Sequence, residues 1–529
     1  MHRKAVPVTS VGSGIIETLR NPCAYPHPVD TVECIETHIS WVLLAGDFAY
    51  KIKKPLDLGF LDFSSLRRRQ FYCEEEARLN RLWAPDIYLG VVPITLRDGQ
   101  AKIDGSGTAV EYAVKMRRFD PAMCLDVQLA NGKLSIADMR ELAEMLGQRH
   151  EAAPIVARAL RTQTVSRAIE LIRENFPPLE NVIERGLYDE LYRWTMSQLA
   201  ELEPVLWQRF DDGYFRQCHG DLHLRNIVRL PGGMTTFDCI EFSTDLRNTD
   251  VMADIAFLVM DLVARQQPGL AAHCINRYLE VTGDYRGMRL FNLYFVYRCL
   301  VRAKVAVIRG AERTDTGERV EDLEKARRYC VMARLQARPG VPLLVVMTGM
   351  SGSGKTWVSG QLMEALPAIR MRSDIERKRH MHLEETASSN SGIAAGAYAS
   401  DVSDTIYSKL NALAAEILQA GHNVILDASF LRLAQRDAAR AVAECTGAHL
   451  VFLQTMAEDS ILRARIRARG ARADDASEAD TGVLDYQLRT AEPLTAEEQQ
   501  RTVRCNSDDA DTVRLVTRVR KMSDGVRSC

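Results

Sequence analysis

The chain has 529 residues, of which 46% are hydrophobic and 26% charged, and a formal net charge of −2. That length exceeds one ordinary core and suggests roughly three domain-sized units of a globular protein. The near-balanced charge argues against a protein that coats nucleic acid or an anionic membrane. The 12 cysteines include no CxxC pair, so neither zinc nor dithiol spacing is present, and the pattern suits reduced thiols in the cytoplasm. His219 and His223 could share a helix face, but no third ligand follows at metal-binding spacing. Residues 1–20 lack the apolar region of a secretory signal. No segment reaches the roughly 20 apolar residues of a membrane helix.

In chain order, residues 1–29 are weakly patterned and broken by Pro22, Pro26 and Pro28, and read as an N-terminal extension with a helical turn or two near 15–20. Residues 30–116 read as one lobe. Two β-rich runs, 39–45 and 48–53, flank the hairpin signal Gly46-Asp47. Ser64-Ser65 then leads into an amphipathic helix over 67–83. Strands follow over 88–96 and 109–116, joined by the glycine-rich turn 99–107. Alternation puts Lys51 and Lys53 on one strand face, where either could meet Glu74, Glu75 or Glu76 of the helix. Protein kinases hold the α- and β-phosphates of ATP with such a pair, although lysines and glutamates also sit solvated on surfaces.

Residues 117–338 read as mostly helical, with periodic stretches over 135–152, 165–174 and 188–199 and apolar core helices over 251–263 and 291–308. Between them lies Cys218-His219-Gly220-Asp221-Leu222-His223-Leu224-Arg225-Asn226, flanked by short β-like runs. Phe237-Asp238-Cys239-Ile240-Glu241-Phe242 follows. An aspartate to orient a hydroxyl, with an asparagine and a second aspartate to hold magnesium, is a minimal kit for phosphoryl transfer. The same residue types also make ordinary turns.

Pro339-Gly340-Val341-Pro342 marks a domain boundary. After it, the apolar run 343–348 precedes Gly349-Met350-Ser351-Gly352-Ser353-Gly354-Lys355-Thr356 and a helix-compatible stretch. This GxxxxGK[ST] pattern in strand–loop–helix context is a phosphate cradle. Its backbone N–H groups would wrap phosphate, Lys355 would reach the β- and γ-phosphates, and Thr356 would bind magnesium. A second strand, 369–374, ends in Asp374, a candidate base, and Arg377 follows as a candidate clamp for an anionic substrate. An ordinary helix cap at Ser373 or Asp374 is the competing reading. The strand 423–430 carries Asp427, placed like a Walker-B acid. Arg465 with Arg469, and Arg463 with Arg467, lie one helical turn apart; the pair Arg465 and Arg469 suits a lid, continued by the polar stretch 474–480, although such stripes also form solvated basic faces.

Two resemblances follow from these residues. The segment 218–254 resembles the aminoglycoside phosphotransferase and choline kinase-like branch of the protein kinase fold, through His219-Gly220-Asp221 with Asn226, Asp238 and Asp254-Ile255-Ala256. The resemblance implies Asp221 as catalytic base, Asn226 and Asp238 as magnesium ligands and Asp254 as a brace for the loop. It selects Lys51 and Glu76 as the nucleotide pair and makes 111–115 the hinge that receives adenine. No GxGxxG precedes Lys51, and nothing identifies an aminoglycoside pocket. Residues 343–529 resemble small P-loop kinases such as gluconate kinase, the zeta-toxin group and the kinase part of polynucleotide kinases. Asp374 and Arg377 resemble the base and phosphate clamp of the last group. AAA machines and helicases fit worse, because the module is short.

The expected fold is an α+β bilobal protein kinase-like domain, with an N-lobe over 30–116 and a helical C-lobe over 117–338, followed by an α/β P-loop NTPase domain with a parallel sheet over 339–529. The expected activity is transfer of the γ-phosphoryl group of ATP, with Mg2+, to hydroxyls of small molecules at two nucleotide sites, in the cytoplasm. The alternative is a P-loop kinase, acting on a small molecule or a polynucleotide 5′-hydroxyl, regulated by a non-catalytic kinase-like domain. Few aromatics near the basic stretch argue against a polynucleotide.

Overall fold

The computed structural model describes residues 10–57, 59, 61–383, 400–472, 477, 479–507 and 511–525. The chain forms two compact units, Met1–Glu174 with Glu201–Asp261, and Asn175–Ala200 with Leu262–Cys529.

The first unit contains a six-stranded antiparallel sheet in the order β1-β2-β3-β6-β4-β5. Its strands are β1 (Val32–Glu36), β2 (Ser40–Ala45), β3 (Phe48–Lys53), β4 (Tyr88–Arg97), β5 (Gln100–Ile103) and β6 (Ala109–Arg117). The helix Leu66–Trp83 begins where the Ser65 side chain accepts from Arg68 N and buries Cys73 and Ala77 against Tyr88 and Val114. The hairpin, the helix and both later strands lie where periodicity puts them. Two strands do not follow from it. β1 is a sheet edge whose residues are largely exposed, so burial imposes no strong alternation on it. β5 lies inside the expected turn 99–107, because Asp98 and Gly99, both at positive φ (53° and 74°), close a two-residue hairpin. Of the expected N-terminal extension, Ile15, Ile16 and Leu19 are buried with Trp41, Leu43 and Ile52.

The rest of this unit carries two small antiparallel pairs among helices. β7 (Phe215–Gln217) pairs with β10 (Asn248–Asp250), and β8 (Ile227–Leu230) pairs with β9 (Gly233–Thr236). The loop 218–226 therefore runs from β7 to β8, and Asp238 follows β9.

The second unit holds a five-stranded parallel sheet in the order β12-β13-β11-β14-β15. These strands are β11 (Leu343–Thr348), β12 (Ala368–Arg372), β13 (Asn423–Asp427), β14 (His449–Met456) and β15 (Thr502–Asn506). Val345 and Met347 of β11 are buried with Val358 and Leu362 of the helix Lys355–Ala365. The packing does not break at Pro339. The helices Pro268–Thr282, Met288–Glu312 and Thr316–Ala337 belong to the same unit as the parallel sheet. Asn292 Nδ2 donates to Ala420 O at 2.8 Å, and His422 Nε2 lies 3.2 Å from Met288 O. Among the described residues no helix is long and apolar enough to cross a membrane.

Candidate active sites

Gly220 has φ of +82°, and a Cβ there would meet Leu246 O at 3.1 Å, so the loop 218–226 needs glycine at its bend. Asp254 holds the loop from below, its carboxylate accepting from His219 N and Gly220 N, both at 3.0 Å. Burial pushes the His219 imidazole below its ordinary pKa against the opposing charge of Asp254. A neutral ring matches its contacts, with Nε2 donating to Phe237 O (2.9 Å) and Nδ1 accepting from Asp221 N (3.4 Å). Asn226 Nδ2 donates to Asp221 Oδ2 at 3.1 Å and to Asp221 O at 3.0 Å. His223 Nε2 lies 3.3 Å from the same Oδ2. The Asp221 side chain is thus oriented while 40% exposed.

Opposite the loop, Lys51 Nζ donates to Glu76 Oε1 at 2.8 Å and to Asp238 Oδ1 at 2.5 Å. Asp238 adopts φ of +60°, a conformation that costs energy in a non-glycine residue, and its N–H donates to Tyr88 Oη at 3.1 Å. Burial disfavours the Lys51 ammonium, but Asp238 and Glu76 outweigh it and hold its pKa well above the ordinary value. Burial likewise raises Glu76, and the charges of Lys51 and Lys53 take it down to about 2. A cavity of about 530 Å³ is lined by Lys51, Asp221, Asp238, Tyr88 and Phe237.

Sequence periodicity left Lys51 and Lys53 as alternatives; in the structure both bind Glu76. Lys53 Nζ reaches Glu76 Oε2 at 2.7 Å and also bonds Glu241, and no part of its side chain is exposed. Lys51 alone of the two lines the cavity. None of residues 111–115, expected as the hinge, lines this cavity. Glu111 is buried and paired with Arg69 at 2.8 Å, whereas Met116, Arg117, Arg118 and Phe119 border the cavity. The sequence signal for Glu241 was its place in the Asp238 strip, and for Lys53 the strand alternation. His150, Cys218 and Asp254 also converge in the interior, but Asp254 is engaged by the loop and Cys218 Sγ donates to Thr249 O, so their polar atoms already serve the fold.

In the second unit the loop 349–354 joins β11 to the helix Lys355–Ala365. Gly352 has φ of +81°, and a Cβ there would meet Leu462 O at 2.8 Å, so a side chain would force the cradle open. Lys355 Nζ donates to Gly349 O (3.0 Å) and Met350 O (2.9 Å), folding the lysine over its own loop. Burial pushes its pKa down to about 8, with Asp427 and Asp374 opposing. Ser351 N donates to Gln487 Oε1 at 2.8 Å. The Ser353 hydroxyl lies 2.7 Å from that of Thr455, which makes it a brace for the loop.

A cavity of about 400 Å³ brings Lys355, Thr356, Asp374, Arg377, Asp427 and Arg469 together. Asp374 sits in the first turn of the helix Ser373–His380, not at the end of β12, and neither Ser373 nor Asp374 caps that helix. Burial raises the Asp374 carboxyl, but Arg377, at 2.8 Å, and Arg372 outweigh it and hold the pKa below the ordinary value. The two arginines expected in a lid, Arg465 and Arg469, separate. Arg469 lines the cavity and donates to Ala479 O. Arg465 donates to Gly352 O (3.3 Å) and Ser507 Oγ (2.7 Å), against the back of the cradle. Of the stretch 474–480, residues 474–476 and 478 lie outside the described residues. Arg432, Tyr407, Tyr486 and Gln487 also line this cavity. No motif marks them, because they arrive from separate helices and a loop.

Comparison with known proteins finds two families along the chain, and the first match does not follow the two compact units, since its residues 175–200 and 262–291 belong to the second. Residues 128–291 match the model of the "Phosphotransferase enzyme family", and residues 344–494 match a model described as "AAA domain". Both parts are of kinase type: a kinase-like phosphotransferase domain is followed by a P-loop kinase-like domain. The second match takes in β11 (from its second residue) to β14 of the parallel sheet and ends before β15. Uncharacterized proteins of Mycobacterium bovis and Mycobacterium tuberculosis are 28% identical over 459 residues, covering 85% of this chain and 89% of theirs. Among solved structures, a gluconokinase from Sinorhizobium meliloti is similar to 35% of this chain over 94% of its own, at 21% identity and a TM-score of 0.25. A choline kinase from Cryptosporidium parvum is similar to 61% of this chain over 94% of its own, at 13% identity and a TM-score of 0.38. At these values the likeness carries no substrate.

Proposed function

We propose that the chain transfers the γ-phosphoryl group of Mg-ATP to hydroxyls of small molecules at two nucleotide sites. The bridge from Lys51 to both Glu76 and Asp238, in one cavity with Asp221, carries this reading for the first site. A domain kept only to bind a ligand has no need of a lysine, two acids and an oriented base together. Asp221 would take the proton of the acceptor hydroxyl, and Lys51 would hold the α- and β-phosphates. Met116–Phe119 would receive adenine. Asn226 and Asp238 offer the oxygen donors that suit magnesium, which would neutralise charge on the transferring group.

In the second site the loop 349–354 and Lys355 would cradle the phosphates. Thr356 and Asp427 supply oxygen donors suited to magnesium. Asp374, kept ionised by Arg377 and Arg372, is in the form that accepts a proton. Arg377 would clamp the acceptor, and Arg469 would face the transferring phosphoryl group. All cysteines among the described residues are free, which supports a reducing compartment such as the cytoplasm.

The test is ATP consumption by the full chain over a library of hydroxyl compounds, read by mass gain of the acceptor. Asp221→Ala and Lys355→Ala should each remove a distinct product. Turnover untouched by either substitution would refute the reading. Turnover lost only with Lys355→Ala would instead make the kinase-like domain a non-catalytic regulator.

A further inference from the structure

β12 is an edge of the parallel sheet, and an edge strand leaves backbone groups without a partner. A side chain takes that place. Asn276 Nδ2 donates to Ala368 O at 2.9 Å, and Arg370 N donates to Asn276 Oδ1 at 2.7 Å. One turn further along the helix Pro268–Thr282, Glu280 Oε1 accepts from Arg370 Nη2 at 3.0 Å. The Glu280 side chain is 0% exposed and that of Arg370 6%.

The other arm of Arg370 enters the P-loop helix. Nη1 donates to Thr356 O at 3.3 Å and lies 3.5 Å from Ser359 Oγ. Ser359 is fully buried and has one proton for two acceptors, Asp427 Oδ2 at 2.8 Å and Thr356 O at 3.1 Å. Arg370 is only a donor. Its Nη1 competes with the serine for Thr356 O and approaches the Ser359 oxygen, which favours the serine proton on the Asp427 carboxylate, where the bond is charge-assisted. The line of bonds Glu280, Arg370, Ser359, Asp427 thus starts in the span that matches the phosphotransferase family and ends on the acid of the P-loop cavity.

We propose that Glu280, Arg370 and Ser359 are positioning residues of the P-loop site, fixing Asp427 and Thr356 for a magnesium–nucleotide complex. This rests on reading that site as a nucleotide site. If Arg370 loses its hold, Ser359 is free to turn to Thr356 O and Asp427 loses its donor. Groups of this kind orient metal ligands without touching metal, and their removal costs about 10–100-fold in metal affinity.

The test uses the full chain carrying Lys51→Met, chosen to weaken nucleotide binding at the first site, with the same single variant as the reference. A fluorescent ADP analogue is titrated with and without Mg2+. Ser359→Ala, nearly isosteric, and Glu280→Gln should each raise the Mg2+ concentration for half-maximal binding by about tenfold. Affinity without metal should stay within about twofold. The double variant should also show about tenfold and not a hundredfold, since residues in one network are not additive. An unchanged Mg2+ requirement in Ser359→Ala, or multiplied effects in the double variant, overturns the relay and leaves the nucleotide site standing. Lys355→Ala is the separate control: undiminished binding of the analogue there overturns the nucleotide site and the relay with it.

Discussion

Glu76 divides its carboxylate between two lysines, giving Oε1 to Lys51 at 2.8 Å and Oε2 to Lys53 at 2.7 Å. Lys51 goes on to Asp238 in the cavity, and Lys53 turns inward to Glu241. One glutamate therefore serves a lysine that lines the cavity and a lysine buried in the fold.

The two lysines should separate on mutation. Lys51→Met should lower turnover at the first site by about 100-fold or more, the scale of one lost electrostatic contact to a transferring group. Glu76 keeps Lys53, so thermal melting should move little. Lys53→Met leaves buried Glu241 without its cation and should cost about 3–5 kcal/mol in urea unfolding. Equal losses of stability in both variants would contradict this assignment.

Asp221→Asn keeps the shape of the side chain and removes the base. Turnover at the first site should fall by about 10²–10⁴, with the KM for ATP nearly unchanged, because Lys51 and Asp238 still bind nucleotide. Initial rates in a Lys355→Ala background isolate this site.

Glu76 makes a prediction for acid. Its pKa is near 2 in the fold and 4.5 ordinarily, so between those values the unfolded chain binds more protons and stability rises with pH. The contribution is complete above about 4.5 and lost as pH falls toward about 2. Unfolding midpoints measured across this window should fall more steeply in the parent than in Glu76→Gln.

Lys355 makes one for alkali. Its ammonium, lowered to about 8 by burial against the opposing pull of Asp427 and Asp374, is charged below that pH and neutral above it. Binding of a fluorescent ADP analogue at the P-loop should weaken as pH rises through about 8. Lys355→Arg should flatten that dependence, since guanidinium stays protonated throughout.

A fragment starting at Pro339 should fold poorly. It lacks Asn276 and Glu280, leaving the β12 edge unpaired and Arg370 without its counter-ion. Thermal melting and size-exclusion profiles should show lower stability and aggregation. A fragment as stable as the parallel sheet in the full chain would contradict the shared core.

Much of this was legible in the chain itself. The cradle 349–356 could be read because its glycines, lysine and threonine are contiguous, and backbone geometry demands them in that order. Asp221, Asn226 and Asp238 could be read for the same reason: one loop and one strand end carry them. Periodicity gave the helix that brings Glu76, since Cys73, Ala77 and Trp83 fall on its buried face. It could not separate Lys51 from Lys53, because alternation puts both on one face. That choice depends on what lies beyond each ammonium, the cavity or Glu241.

What sequence alone determined was which residues stand together within each contiguous motif. Tertiary structure decided which residues from distant segments support it. The proline–glycine break at 339–342 ends a helix, as local backbone rules require, but it does not end a core. Asn276 and Glu280 precede the break by some sixty residues, yet they complete the edge of β12 and pair Arg370. A sheet edge and a buried guanidinium need partners wherever the chain can supply them, and no local pattern records which helix does so.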